Sequence, residues 1–246
     1  MKKILITGAC GFIGSHLTEM MIEKGYNVVA FDRYNSNNDY GWLNNSKYKK
    51  DIEFELGDIR DFDSVYKVMK KVKTVFHLAA LIGIPYSYIS PLAYIKTNVE
   101  GTYNVLESSK ILNLENVVIT STSETYGSAM YTPMDEEHRL FGQSPYAASK
   151  ISADQVSLSY YNSFDTPIKL VRPFNVYGPR QSTRAIIPTI ICQLLKNSSK
   201  ICLGNLNTSR DYTYVSDACE AFFQIYKIIH HIYLSYKSSQ IFELDY

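Results

Sequence analysis

From its first residues this chain alternates short apolar runs with stretches of helical periodicity, and that rhythm is the strongest constraint on its fold. Lys3 to Thr7 reads as a buried strand. Phe12 to Lys24 follows as a helix, with Ile13, Leu17, Met20, Met21 and Lys24 at helical spacing. Asn27 to Phe31, Ile52 to Leu56, Thr74 to Leu78, Asn116 to Thr120 and Ile168 to Arg172 read as further strands. Helices are expected over Phe62 to Val72, Pro91 to Leu112 and Ser144 to Tyr161. The second of these carries Leu92, Ile95, Val99, Val105 and Leu106 along one side, and the third opens on Pro145, a residue suited to a first helical turn. Short buried strands separated by helices imply a parallel sheet with right-handed crossovers and an α/β fold. Arg33 to Lys50, rich in Asn and Tyr, is expected to be an irregular excursion. After Arg172 the rhythm loosens.

Gly8, Gly11 and Gly14 fall between the first strand and the first helix. In such a loop the first glycine permits the turn, the second lets backbone approach a pyrophosphate, and the third lets helix and strand pack closely. The helix start at Phe12 and Ile13 then offers free N–H groups and a positive dipole to phosphate. Asp32 lies 18 positions beyond Gly14, at the end of the second strand. A carboxylate there suits the adenosine ribose hydroxyls and repels a 2′-phosphate, which favours NAD over NADP. Arg33 is the opposing signal, since an Arg can hold a 2′-phosphate. The expected fold is therefore a Rossmann-type doubly wound parallel sheet with helices on both faces. Residues 1–172 would be its NAD-binding domain, and 173–246 a substrate-covering portion. Asp58 and Ile59 could bracket the adenine; Asp61 as a helix N-cap explains part of that segment equally well. Ala79, in His77-Leu78-Ala79-Ala80, is small enough to let a cofactor lie across the sheet. His77 reads either as catalytic or as a histidine satisfied by backbone.

A second cluster carries the chemistry. Tyr146 and Lys150 stand at i and i+4 and so share a helix face. A free tyrosine, with a pKa of about 10, is a poor base at neutral pH, and a nearby ammonium favours the phenolate. Lys150, beside Tyr146, can also hold the nicotinamide ribose of the cofactor. Upstream, a strand ends in Ser121-Thr122-Ser123-Glu124. Strand carboxyl ends are where ligands bind in open α/β sheets. Thr122 is suited to hydrogen-bond a reacting oxygen, and Glu124 is either a functional carboxylate or a turn residue before Gly127.

Bulk composition narrows the function. A chain that is 46% hydrophobic and 20% charged can bury a sizeable core. Its formal net charge of +1, without a basic tract, gives no sign of nucleic acid or anionic membrane as partner. Cys10, Cys192, Cys202 and Cys219 form no C-x-x-C pair and read as reduced thiols of a cytoplasmic protein. No metal site is expected, because His230-His231 has no partners at ligand spacing. The apolar start Ile4 to Ile6 breaks into glycines, so no export segment or membrane span is expected either.

These residues resemble the extended short-chain dehydrogenase/reductases, the nucleotide-sugar epimerases and dehydratases, from Lys3 to about Ile228. The resemblance is carried by Thr-Gly-Ala-Cys-Gly-Phe-Ile-Gly at 7 to 14, Asn98-Val99-x-Gly101-Thr102, the Thr122/Tyr146/Lys150 set and Arg172-Pro173-Phe174-Asn175-Val176-Tyr177-Gly178-Pro179. It adds Asn98 to the expected cofactor contacts. Thr-Ser-Glu at 122 to 124 is similar to the pattern of the GDP-mannose 4,6-dehydratases, with Ser123 where the dTDP-glucose branch carries an Asp as general acid. Two further segments, Gly83 to Tyr88 and Pro179 to Pro188, are similar to the N-acetylglucosamine nucleotide 4,6-dehydratases of legionaminic acid biosynthesis.

The resemblance implies a three-step reaction. Tyr146, aided by Thr122, takes the proton of the sugar 4-hydroxyl as C4 gives a hydride to NAD⁺. Glu124 removes the C5 proton and assists departure of water from C6. The hydride then returns to C6 and a proton to C5, leaving a 4-keto-6-deoxy sugar nucleotide. Asn175 and Arg210 are expected to grip the diphosphate, with Ser123 and Arg184 also facing substrate; an ion pair near Asp211 is the competing reading of Arg210. Family members often form homodimers through the helix carrying Tyr146. They also run well past the counterpart of Asp217 to Ala221, so the end of this sequence implies a shortened pocket. A 4-epimerase and a non-catalytic NAD-binding protein are the alternatives.

Overall fold

The structure is a computed structural model that describes residues 2–196, 200–204, 207–228 and 233–235. Seven parallel strands form the main sheet in the order β3-β2-β1-β4-β5-β6-β9. They are β1 (Lys3–Thr7), β2 (Asn27–Arg33), β3 (Ile52–Gly57), β4 (Thr74–His77), β5 (Asn116–Thr120), β6 (Ile168–Arg172) and β9 (Tyr233–Ser235). A separate parallel pair, β7 (Asn175–Tyr177) and β8 (Tyr212–Tyr214), makes a small second sheet. Beyond the strands read from sequence, β7, β8 and β9 are new. His230-His231, and a further strand that Gln240 to Leu244 could begin, lie outside the described residues.

The sheet is buried on both faces, which is why its strands are continuous apolar runs and not alternating ones. Ile4, Ile6, Val28, Ala30, Phe76, Val118 and Val171 point to one face. There they meet Leu17 and Met21 of α1 (Phe12–Glu23) and Cys219, Phe222 and Ile225 of α8 (Val215–Lys227). Leu5, Val29, Phe31, Val75, Val117, Ile119 and Leu170 point to the other. That face is covered by Val65, Val68 and Met69 of α2 (Phe62–Met69), Val105 and Leu106 of α5 (Gly101–Leu112) and Tyr160 of α6 (Pro145–Phe164). Two elements from beyond Arg172, α8 and β9, thus return to the main sheet. The elements before α8, namely β7, α7 (Ile186–Leu195) and β8, form the outlying part.

One expected helix is locally different. The path from Pro91 to Leu112 begins as α4 (Pro91–Tyr94), widens into a π-turn over Ile95–Glu100 and continues as α5. A π-turn adds a residue to the turn and rotates everything before it. Leu92 and Ile95 consequently face solvent, and Tyr94 and Asn98 are turned inward. The sequence between β4 and α4 also forms a short helix, α3 (Ile84–Ile89). The excursion after β2 is irregular, as its composition implies, and its Leu43 is fully buried against the first core layer.

Candidate active site

The strand order reverses between β1 and β4, and ligands of such sheets bind at the carboxyl ends of the strands flanking that point. Gly8 follows β1 with φ +69°, a conformation that L side chains rarely adopt. At Gly14 an added Cβ would stand 2.1 Å from the Gly8 carbonyl oxygen, so only glycine lets α1 start this close to β1. Gly11 caps α1 without any side-chain hydrogen bond, so the first-turn N–H groups at Phe12 and Ile13 have no side-chain cap. The Asp32 carboxylate accepts from the N–H of Cys10 at 2.7 Å and of Arg33 at 2.7 Å. It therefore fixes the glycine loop from the end of β2. The Cys10 thiol is pushed up by burial and by Asp32, which makes it inert.

Behind the loop lies a buried hydrogen-bond chain. Thr7 Oγ1 accepts from the N–H groups of Leu78 and Ala79, each at 3.2 Å, so its own proton is free for His77 Nδ1 at 2.8 Å. His77 Nε2–H then donates to Thr102 Oγ1 at 3.1 Å, and Thr102 donates to the Asn98 carbonyl at 2.7 Å. Burial, then the Lys150 charge, lower the His77 pKa to about 3, so the ring is neutral. His77 is satisfied as expected, although by two threonine side chains and not by backbone. The Asn98 amide is also committed. It accepts from Leu81 N–H at 2.8 Å and donates to Leu81 O and Ser149 Oγ, each at 2.9 Å. Asn98 therefore holds the β4–α3 loop, including Ala79, in place from one layer back.

At the far end of the cradle, Asp58 is held by Arg60 at 2.9 and 2.5 Å, and this hydrogen bonding keeps its carboxyl below the usual range. Ile59 is buried against Gly101, and its carbonyl accepts from Asn104 at 3.0 Å. Asp61 accepts from Asp63 N–H at 3.1 Å and caps α2.

The catalytic candidates converge where β5, the following turn and α6 meet. Thr122 ends the strand extension and caps the 3-10 turn Ser123–Tyr126 by accepting from Glu124 N–H at 3.2 Å. Its hydroxyl also lies close enough to the Tyr146 phenol to lower that group's pKa. The half-buried Glu124 carboxylate lies within electrostatic reach of that phenol. Tyr146 is buried, with its ring packed edge-on against Tyr94 at 6.2 Å. Ser144 opens α6 by accepting from Ala147 N–H at 3.0 Å. Lys150, fully enclosed, donates to the Thr120 carbonyl at 2.6 Å. The tyrosine itself departs from expectation. Burial dominates and pushes its pKa up to about 12; the Thr122 hydrogen bond opposes this and Glu124 reinforces it. Burial likewise lowers Lys150 to about 8 against the pull of Asp154.

The remaining substrate candidates come from elsewhere. Ser123 N–H donates to the Pro173 carbonyl at 3.1 Å. Arg184 is exposed, yet its charge reaches Tyr94, the neighbour of Tyr146. Asn175 and Arg210 come to one end of the small sheet, where Asn175 N–H donates to the Asp211 carbonyl at 3.1 Å. Arg210 is exposed, with Nη1 on the Ser209 carbonyl at 3.1 Å. Tyr94, Asp154 and Arg180 were missed in the sequence. Asp154 does leave a trace, since it repeats the Tyr146/Lys150 spacing once more. Arg180 pairs with Glu19 of α1 at 2.9 Å, tying the 178–185 segment over the cradle. Among the described residues no His, Cys, Asp or Glu cluster could hold a metal, and no helix is long and apolar enough to cross a membrane.

A family model described as GDP-mannose 4,6 dehydratase matches residues 5–233. The chain belongs to that family of extended short-chain dehydrogenase/reductases. It is 36% identical over 223 residues to a putative UDP-glucose 4-epimerase of Methanocaldococcus jannaschii, an alignment covering 89% of this chain and 71% of the relative. It is 32% identical to the dTDP-D-glucose 4,6-dehydratase of Dictyostelium discoideum, covering 90% of this chain and 55% of that longer one. Among solved structures, the dTDP-glucose 4,6-dehydratase DesIV of Streptomyces venezuelae, with NAD bound, superposes with a TM-score of 0.87 at 27% identity. That match covers 96% of this chain and 74% of DesIV.

Proposed function

We propose that this protein dehydrates a nucleotide-activated hexose, an N-acetylglucosamine nucleotide by preference, to its 4-keto-6-deoxy derivative using bound NAD. The observation that carries the reading is the Glu124 carboxylate beside the Thr122–Tyr146 pair, because a simple epimerase needs no carboxylate there. Gly8, Gly11, Phe12, Ile13, Gly14, Asp32 and Ala79 would hold the dinucleotide, whose nicotinamide supplies the acceptor for the C4 hydride and its return to C6. Its positive charge would also favour the Tyr146 phenolate against burial. Tyr146 takes the 4-hydroxyl proton, steadied by Thr122, and Lys150 keeps a positive charge behind it. Glu124 removes the C5 proton that the new ketone acidifies and passes it to the C6 hydroxyl, which leaves as water; C5 is reprotonated as the hydride returns to C6. Arg184, Asn175 and Arg210 meet the nucleotide diphosphate, and Ser123 the sugar.

The preference for an N-acetylated sugar rests on the 83–88 and 179–188 segments. Tyr94 Oη donates to the Gly83 carbonyl at 2.5 Å, and Arg184 reaches the same ring, so both segments border Tyr146. We further propose a homodimer. Tyr103 and Ile111 of α5 and Tyr161 and Phe164 of α6 expose apolar surface that a second copy would cover.

The 4-epimerase is the second reading, favoured by the Methanocaldococcus jannaschii relative. Mass spectrometry after incubation with NAD⁺ and UDP-N-acetylglucosamine, GDP-N-acetylglucosamine, GDP-mannose or dTDP-glucose separates the two. Loss of one water from a donor is the expected result. Glu124→Gln should then lower dehydration by about 10²–10⁴-fold while C4 oxidation persists. An isomerised donor at unchanged mass, equally fast in Glu124→Gln, would establish the epimerase instead.

A further inference from the structure

Asp154 lies four residues beyond Lys150 and eight beyond Tyr146, so all three share one face of α6. It is completely buried, and its partner Arg172 on β6 is 1% exposed. Arg172 Nε donates to Asp154 Oδ2 at 3.0 Å, and Nη2 forms an ion pair with the same oxygen at 2.9 Å. Its Nη1 donates to Tyr126 Oη at 3.1 Å, and its guanidinium stacks 5.0 Å from the Tyr126 ring. The second carboxylate oxygen, Oδ1, is shut off from solvent, and beyond Arg172 and Lys150 the carboxylate is steadied by the nearby Ser121 hydroxyl. A carboxylate buried this completely is costly even when paired, and calls for an explanation beyond stability. Lys150 supplies one, because the Asp154 and Lys150 charges act on each other.

We propose that Asp154 is a positioning residue, whose carboxylate, clamped from behind by Arg172, fixes the charge and place of the Lys150 ammonium under Tyr146. The inference rests on the reading of Tyr146 and Lys150 as the catalytic pair. Burial alone would turn Lys150 toward a neutral amine at working pH, and a neutral amine can neither favour the phenolate nor hold a ribose as strongly. Asp154 opposes that loss. Burial raises the Asp154 pKa; the Arg172 charge opposes that rise and holds the carboxylate in one rotamer, while Tyr126 accepts from Arg172 Nη1 and stacks on its guanidinium. The titratable and charged groups facing Lys150 and its carboxylate are Tyr146 on α6, Arg172 on β6, His77 on β4, and Glu124 and Tyr126 in the turn after β5.

The test is a pH titration of the Lys150 side chain by ¹³Cε/¹⁵Nζ NMR in the NAD-loaded protein, with the resonance assigned by Lys150→Arg. In Asp154→Asn the Lys150 midpoint should fall by about one pH unit or more. A double variant, Asp154→Leu with Arg172→Met, removes the buried pair together and guards against misfolding of the single one. Its Lys150 midpoint should fall as well. Lys150 titrating at its wild-type pH in either folded variant would overturn the inference. No sugar nucleotide is needed, so this outcome is distinct from the absence of water loss, which would instead count against the dehydratase reading.

Discussion

The two halves of the site are made of different material. The cradle is backbone: two glycines whose Cβ positions are already occupied, an uncapped helix start, and Thr7 and Asp32 used to hold N–H groups in place. The catalytic face is buried side chains, with a phenol pushed up to about 12, an ammonium lowered to about 8 and a carboxylate beside them. A backbone site gives up no proton of its own, so protonation reaches it only through the side chains that brace it, and it is intolerant of a single methyl group. A side-chain site tolerates isosteric changes of shape and fails when one proton or charge is lost.

The largest expected effect tests that division directly. Tyr146→Phe removes one oxygen from a buried ring whose packing on Tyr94 is retained. Turnover should fall by about 10²–10⁴-fold with NAD affinity unchanged, as read by product formation and by NAD titration. Equal losses in both would mean that the two halves are not separable. Gly14→Ala is the reciprocal change. Its Cβ would overlap the Gly8 carbonyl, and moving the start of α1 should cost about 1–3 kcal/mol. The expected readout is weaker NAD binding and a lower Tm, with turnover at saturating NAD close to wild type.

The same division explains what could be read from the sequence. Backbone requirements leave residues of special type at fixed spacing, so Gly8, Gly14, Asp32 and every strand from β1 to β6 were legible. The side-chain cluster was legible where one element repeats a spacing, as with Tyr146 and Lys150. It was less so where elements meet. Tyr94 is one tyrosine among 21, and only the π-turn at Ile95–Glu100, which no propensity announces, turns it inward. That turn also moved Leu92 and Ile95 out of their expected buried stripe. The sign of the Tyr146 shift was hidden for a related reason, since spacing shows which charge is near but not how much water burial removes. Beyond Arg172, β7, β8 and β9 are three residues each, too short to show a period.

The smallest effect concerns the joint between the halves. His77 links Thr7 of the cradle to Thr102 of α5, and its ring titrates at about 3 when folded against about 6.5 when unfolded. The unfolded chain therefore binds the extra proton between those values. Stability is full above about pH 6.5 and declines by up to about 1.4 kcal/mol per pH unit as the pH falls toward 3. Urea unfolding at pH 7, 6 and 5 should show that slope, and His77→Gln, less stable at pH 7, should show a flatter one. Because Thr7 holds Leu78 and Ala79 as well, loosening this joint should disturb the cradle before the catalytic face. NAD affinity should then weaken on acidification before the Tyr146 environment changes, and the reverse order would mean that His77 serves the side-chain half instead.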